Sequence, residues 1–227
     1  MNTPPLTILY EDNHLLVVVK PAGLPTMGTP GDRPTLLTLA KEYVKQRYDK
    51  PGNVYLGVVS RLDAPVTGVV LLARTSKAAA RLTEQFRTRT VEKSYWAIVE
   101  GHIEPPAGNL VDWLGQDERH RRMHIVGPTL PGAKEARLSY RRLSVFSDDS
   151  LLEVELETGR KHQIRLQLAH YGHPVLGDLK YGSRRKFPDG IALHARRLVV
   201  AHPTTGTRLE FEAPLPAAWR KFGVKGQ

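Results

Sequence analysis

The 227-residue chain contains no cysteine, which excludes disulfides, thiol catalysis and cysteine-rich zinc sites. No apolar run approaches the ~18 to 20 residues that span a bilayer. The longest, Leu15 to Val19 and Val69 to Ala73, are strand-sized. Met1-Asn2-Thr3-Pro4-Pro5 has neither the basic start nor the apolar stretch of a secretory signal. There is no phosphate-binding loop, no glycine fingerprint for a dinucleotide, no internal repeat and no clear interdomain linker. His162 and His170 stand eight positions apart, about 80° apart around a helix, and no nearby carboxylate joins them and His173 into a zinc set. The absences point to a cofactor-free, metal-free chain with no membrane segment, expected in the cytoplasm as a monomer.

What is present is basic. Lys and Arg number 33 against 23 Asp and Glu, a net charge of +10. Such an excess favours a polyanion, because each neutralised phosphate releases counterions. The charges lie in short clusters, Arg119-His120-Arg121-Arg122, Arg141-Arg142, Arg184-Arg185-Lys186 and Arg196-Arg197, spread through the chain. That distribution suits a folded surface better than a tail.

Apolar spacing predicts two strands between Leu6 and Lys20 around a turn at Glu11-Asp12-Asn13-His14. Helices are predicted after Thr35 and from Thr75-Ser76 to about Arg87, each opened by a hydroxyl residue that can cap it. Leu56 to Val59 reads as a short strand. Val69 to Arg74 is almost continuously apolar, as expected of a strand covered on both faces. Glu92 to Glu100, Leu138 to Phe146 and Leu151 to Glu157 follow as strands, then a helix from Lys161 to Tyr171. A hairpin from Leu198, closed at Thr204-Thr205-Gly206, precedes a short helix around Ala217 to Phe222. The basic, proline- and glycine-punctuated stretch from Gly115 to Lys134 reads as an extended loop or hairpin excursion. Most connections are too short for parallel crossovers. The expected fold is α+β, a mixed, largely antiparallel β-sheet flanked by helices.

Two segments carry chemistry. One is Ser60-Arg61-Leu62-Asp63-Ala64-Pro65-Val66-Thr67-Gly68, an acid in a constrained turn between apolar strands. The other runs from Thr158-Gly159-Arg160-Lys161-His162-Gln163-Ile164-Arg165 through Gly177-Asp178 and Tyr181-Gly182. Taken singly, Asp63 is a turn acid, Tyr95 a half-buried strand residue and Arg165 an exposed helix residue.

Their joint order changes that. Glu11-Asp12, Val18-Val19-Lys20-Pro21-Ala22-Gly23, Arg61-Leu62-Asp63, Lys93-Ser94-Tyr95, Gly159 to Arg165 and Leu193-His194-Ala195 together resemble the RluA family of RNA pseudouridine synthases. The resemblance implies one pseudouridine synthase catalytic domain over residues 1–227 with a central catalytic cleft and no separate amino-terminal RNA-binding domain. It also implies the reaction: uracil is detached from its ribose, rotated, and rejoined through a ring carbon in place of a nitrogen.

Asp63 matches the essential aspartate, acting as nucleophile or proton acceptor. Arg165 matches the arginine that pairs with that aspartate, and Tyr95 the tyrosine that packs on the target base. Arg61 matches an arginine that helps displace the target nucleotide, since a base must leave its stack before its glycosidic bond is reachable. Leu193 becomes an apolar pocket wall. Lys93, Arg160, Lys161 and His162 become RNA contacts, joined by Arg119, Arg121 and Arg122 of the excursion. Ser60 stands where most members have histidine, Val66-Thr67-Gly68 replaces their Thr-Ser-Gly, and Ala64-Pro65 replaces a charged pair; activity with a shifted rate or target is expected. The expected partner is ribosomal or transfer RNA. The alternative is an RNA-binding or RNA-folding protein on the same scaffold with weak or lost catalysis. Hydrolysis of a nucleoside or glycoside is weaker, for want of paired carboxylates.

Overall fold

The computed structural model describes residues 6–28, 33–117 and 122–224. Contacts divide the chain into two compact units, the first of residues 1–92 and 195–215, the second of residues 93–194 and 216–227.

In the first unit the strands β1 (Thr7–Glu11), β2 (Leu15–Lys20), β3 (Gly57–Val58), β4 (Thr67–Ala73), β10 (Leu193–Ala201, from Ala195 onwards) and β11 (Arg208–Glu212) form the sheet. The order is β1-β2-β4-β10, with β3 on β4 and β11 on β10. The β1–β2, β2–β4, β3–β4 and β10–β11 pairs are antiparallel. Every residue of β4 is buried, which is why its sequence runs apolar without alternation. Leu16 and Val18 of β2 and Val70 and Leu72 of β4 share a core with Leu36, Ala40 and Val44 of α1 (Leu36–Arg47). Each of the leucine and valine side chains contributes about 1.5–3 kcal/mol by leaving water. Thr35 starts α1 with a reciprocal cap: its hydroxyl accepts from Thr38 N at 3.2 Å and its own N–H donates to Thr38 Oγ1 at 2.8 Å. Thr75 caps α2 (Ser76–Arg87) through Ala78 N.

The turn joining β1 to β2 is built on Asp12. Burial pushes its carboxyl up, but hydrogen bonds from His14 N, Leu15 N, the Tyr10 hydroxyl and His202 outweigh that and hold it below the usual carboxylate range. A depressed carboxylate contributes stability above its unfolded pKa, and that contribution disappears as pH falls through the folded value. Asp12→Asn is therefore expected to cost stability at neutral pH and to flatten the acid limb of a melting-temperature profile; an unchanged limb would remove Asp12 from the account.

In the second unit β5 (Glu92–Glu100, from Lys93), β6 (Ala107–Asp117), β7 (Arg122–Ile125), β8 (Lys134–Val145) and β9 (Asp149–Leu156) run in the order β5-β9-β8-β6-β7. All four pairings along that path are antiparallel. The helix α3 (Gln163–His170) lays Leu166 against Leu114, Met123, Ala136 and Tyr181. Among the described residues no helix is long and apolar enough to cross a membrane.

Three expectations need correction. The stretch from Gly115 is a hairpin, one of the two forms expected, with Leu114 to Asp117 paired to Arg122–Ile125, but its first strand, β6, begins eight residues earlier, at Ala107. Glycine hid it: Gly108 lies flat against the Tyr140 ring and Gly115 against Val126, places where a β-carbon would come within about 3 Å of them. The helix expected from Lys161 starts at Gln163, because His162 takes a left-handed backbone, φ 56°. The strand expected from Leu198 starts at Leu193.

Candidate active site

Asp63 sits in the first unit, between β3 and β4, in a turn closed by Val66 N–H donating to Asp63 O at 3.0 Å. Two buried side chains fix the main chain on either side of it. Thr26 donates its hydroxyl proton to Leu62 O at 2.8 Å and accepts from Leu62 N at 3.1 Å. Lys20, with no solvent exposure, donates its ammonium to Pro21 O at 2.8 Å, Leu24 O at 2.8 Å and Ala64 O at 3.0 Å. A buried ammonium is tolerated only where its protons are satisfied, and here the acceptors are loop carbonyls that flank Asp63. Beyond the turn, Gly68 adopts φ +120° against the backbone of Ala195. Arg61 is exposed and Asp63 half-buried.

Lys20→Met keeps the length of the stem and removes the three donors, leaving three carbonyls unsatisfied. A cost of about 3 kcal/mol is expected, read as a lowered denaturation midpoint, together with reduced activity from a loosened Asp63 turn. Wild-type stability and activity in this variant would show that the lysine does not hold the loop.

The second unit supplies the remaining candidates. Tyr95 lies on β5 opposite Val154 of β9, half-buried. Lys93, two residues earlier on the same strand face, puts its ammonium 4.0 Å from where a β-carbon on Gly159 would be. The loop from Thr158 to Arg160 is closed by one side chain: Gln163 Oε1 accepts from Thr158 Oγ1 at 2.8 Å and from Arg160 N at 3.0 Å, and Gln163 Nε2 donates to Arg137 O at 3.0 Å. Arg160 Nε donates to Glu135 O at 2.9 Å. Lys161 is exposed and Leu193 buried.

Arg165 is not an exposed helix residue. Its guanidinium forks onto Asp178, Nε to Oδ2 at 2.6 Å and Nη2 to Oδ1 at 2.9 Å. Tyr181 gathers three of the candidates around one ring. The Arg165 guanidinium lies 5.1 Å from its centroid and that of Arg122 5.3 Å, within cation–π range. Its hydroxyl is 2.6 Å from His162 Nδ1 and accepts from Met123 N at 3.3 Å. Burial raises the phenol's pKa, partly offset by Met123 N and both arginines, and the short contact to Nδ1 ties the left-handed His162 to Tyr181. Arg122 also donates to Lys180 O. Arg119 and Arg121 lie outside the described residues.

Sequence reasoning missed Lys20 and Thr26 as props of the Asp63 turn, and Asp178 and Tyr181 as partners of Arg165, His162 and Arg122. Lys20 stood at the end of the apolar run of β2 and within Val18-Val19-Lys20-Pro21-Ala22-Gly23, without a role assigned to it. For the others, Gly177-Asp178 and Tyr181-Gly182 stood in the motif without a role.

Residues 14–170 match the family described as RNA pseudouridylate synthase. A Bacillus subtilis (strain 168) protein named uncharacterized RNA pseudouridine synthase YhcT is 36% identical over 216 residues, covering 93% of this chain and 69% of that protein. The ribosomal large subunit pseudouridine synthase D of Nitrosomonas europaea is 39% identical over 224 residues, covering 93% of this chain; the match spans 62% of the relative, so this chain corresponds to under two thirds of that protein. Among solved structures, human RNA pseudouridylate synthase domain containing 4 matches with a TM-score of 0.80 at 27% identity, over 96% of this chain and 94% of that one. The α+β fold is thus that of the pseudouridine synthases, and the chain belongs to the RluA family of RNA pseudouridine synthases, isomerases that convert uridine in RNA to pseudouridine.

Proposed function

We propose that this chain modifies uridines in ribosomal or transfer RNA, with large-subunit ribosomal RNA the first candidate, as a monomeric, cytoplasmic, cofactor-free catalytic domain. The observation that carries the reading is the Asp63 turn: a half-buried acid whose flanking carbonyls are held by Lys20 and Thr26, inside the segment that matches the family. The choice of ribosomal RNA rests on relatives of that name in Nitrosomonas europaea, Yersinia pestis and Pseudomonas aeruginosa.

In this reading Asp63 acts on the sugar or base as nucleophile or proton acceptor. The bond from ribose to the uracil nitrogen breaks, a bond to C5 forms, the C5 proton departs and the nitrogen takes one up, so no atom is gained or lost overall. Tyr95 stacks on the freed base, Arg165 serves the reacting aspartate, Leu193 walls the pocket and Arg61 helps to extrude the nucleotide. Lys93, Arg160, Lys161, His162, Arg119, Arg121 and Arg122 contact the RNA, and the charge of the lysines and arginines releases counterions. The test uses ribosomal and transfer RNA transcripts carrying tritium at uridine C5. Release of tritium to water with purified protein is expected, from the ribosomal transcript first; no release from either transcript would overturn the proposal.

A further inference from the structure

All three α-helices end on the same closing bond. Lys50 N donates to Lys45 O at 3.0 Å after α1, Thr90 N to Gln85 O at 3.1 Å after α2, and His173 N to Leu168 O at 2.9 Å after α3. In each case the residue before the donor takes a left-handed backbone. After α3 that residue is Gly172, φ +91°, which adopts the conformation without strain. After α1 it is Asp49, φ 45°, whose short polar side chain suits it. After α2 it is Arg89, φ 60°. Apart from glycines, the left-handed positions among the described residues are Asp49, Arg89 and His162, and His162 is tied to Tyr181. Arg89 has neither excuse.

An arginine at a helix end can be held there by the carbonyls of the last turn. Other groups already take those of Glu84 and Gln85. Glu84 O accepts from Thr88 N at 2.8 Å and from Thr88 Oγ1 at 2.9 Å, and Gln85 O from Thr90 N and Thr90 Oγ1. Arg87 Nε donates to Glu84 Oε2 at 2.7 Å. Arg89 is exposed and, among the described residues, makes no hydrogen bond or ion pair of its side chain. The corner that carries it is firmly fastened. Gln85 Nε2 donates to Ala201 O at 2.8 Å and its Oε1 accepts from Ala201 N at 2.9 Å, while Arg81 donates to Pro203 O at 2.7 Å.

We propose that Arg89 is an RNA-binding residue, a phosphate contact presented by the exposed end of α2. Backbone strain kept at an exposed position, with no internal bond to account for it, carries the proposal. It rests on the reading that the chain acts on RNA. In sequence Arg89 precedes β5, the strand of Lys93 and Tyr95, by three residues. A phosphate contact positions RNA without reading its bases, so its loss affects every bound RNA alike.

The experiment is filter binding of the ribosomal and transfer RNA transcripts over a salt series, with urea melts of the same preparations. Arg89→Gly is expected to weaken binding of both about tenfold at about 0.1 M salt and to lower the slope of log affinity against log salt by about 1. Its urea midpoint should equal or exceed that of the wild type, because glycine relieves the left-handed strain. Arg89→Lys keeps the charge and should recover most of the slope. Arg141→Gln removes an arginine paired with Glu153 at 2.6 Å and should keep the wild-type slope. Wild-type affinity and slope in Arg89→Gly, or an equal loss in Arg141→Gln, would overturn the proposal. A lowered midpoint with wild-type binding would overturn it too and make Arg89 a helix cap. If Arg89→Gly shows no cooperative melt, Arg89→Asn decides by the same slope, since asparagine also takes this backbone. A wild-type protein that binds neither transcript would instead discard the reading of RNA as substrate on which the proposal stands.

Discussion

Asp63→Asn is expected to reduce pseudouridine formation by about 10³-fold or more, the scale on which enzymes lose rate when a reacting group is removed. Asparagine has almost the same shape as aspartate and is equally at home in a turn. The props of the loop act on the main chain of Leu62 and Ala64 and do not involve the carboxylate in those bonds. A urea melt run beside the assay reports the folded fraction of the variant, so that the loss of rate is read on folded protein. RNA affinity should hold within a few-fold, because attraction to phosphate arises from the +10 net charge. Loss of product with retained binding is the signature of an enzyme. An RNA-folding protein on this scaffold would keep its function in Asp63→Asn, and gel-shift and tritium-release assays on the same preparation separate the two.

Gly68→Ala is expected to have the largest effect on stability. At φ +120° a side chain is strained in any surroundings, and here the β-carbon would stand 2.6 Å from Ala195 N and closer still to Ala195 O. Those are backbone atoms of β10, which neighbours β4 in the sheet of the first unit, so nothing flexible can give way. Strain of about 1–3 kcal/mol adds to the clash. The total is expected to exceed about 4 kcal/mol, a large part of the ~5–15 kcal/mol that holds a domain folded. Gly23 is the control: it also has positive φ, +76°, but nothing lies within 4 Å of its β-carbon position. Gly23→Ala should cost only the backbone strain. Urea midpoints of the two variants test the comparison, and equal small shifts would contradict it. Because the turn bearing Asp63 leads directly into β4, Gly68→Ala should also lose activity in whatever fraction remains folded.

Elements with a strong local signal were legible in the sequence. Thr35 and Thr75 announced α1 and α2, and the expected strand from Glu92 to Glu100 has the observed bounds of β5. The buried β4 was readable because a strand covered on both faces needs no polar alternation. What failed locally had a tertiary cause. The glycines of β6 look like breaks until Tyr140 and Val126 are seen against them, and α3 begins late at His162, whose left-handed backbone goes with a side-chain contact to the distant Tyr181. The candidate site divides in the same way. Asp63, Tyr95 and Arg165 could be singled out as candidates because a family pattern marks them. The Lys20–Ala64, Thr26–Leu62, Asp178–Arg165 and Tyr181–His162 contacts span 44, 36, 13 and 19 positions of chain, and no spacing rule brings such partners together.

The central claim is that this chain makes pseudouridine in RNA through Asp63. It is tested most directly by mapping pseudouridine at single-nucleotide resolution in RNA from cells that lack the protein, then re-expressing either the wild type or Asp63→Asn. The account predicts at least one uridine, in ribosomal RNA first, that loses its modification in the deletion, regains it with the wild type and does not regain it with Asp63→Asn. Full modification of every site in the deletion, or restoration by Asp63→Asn, would contradict it.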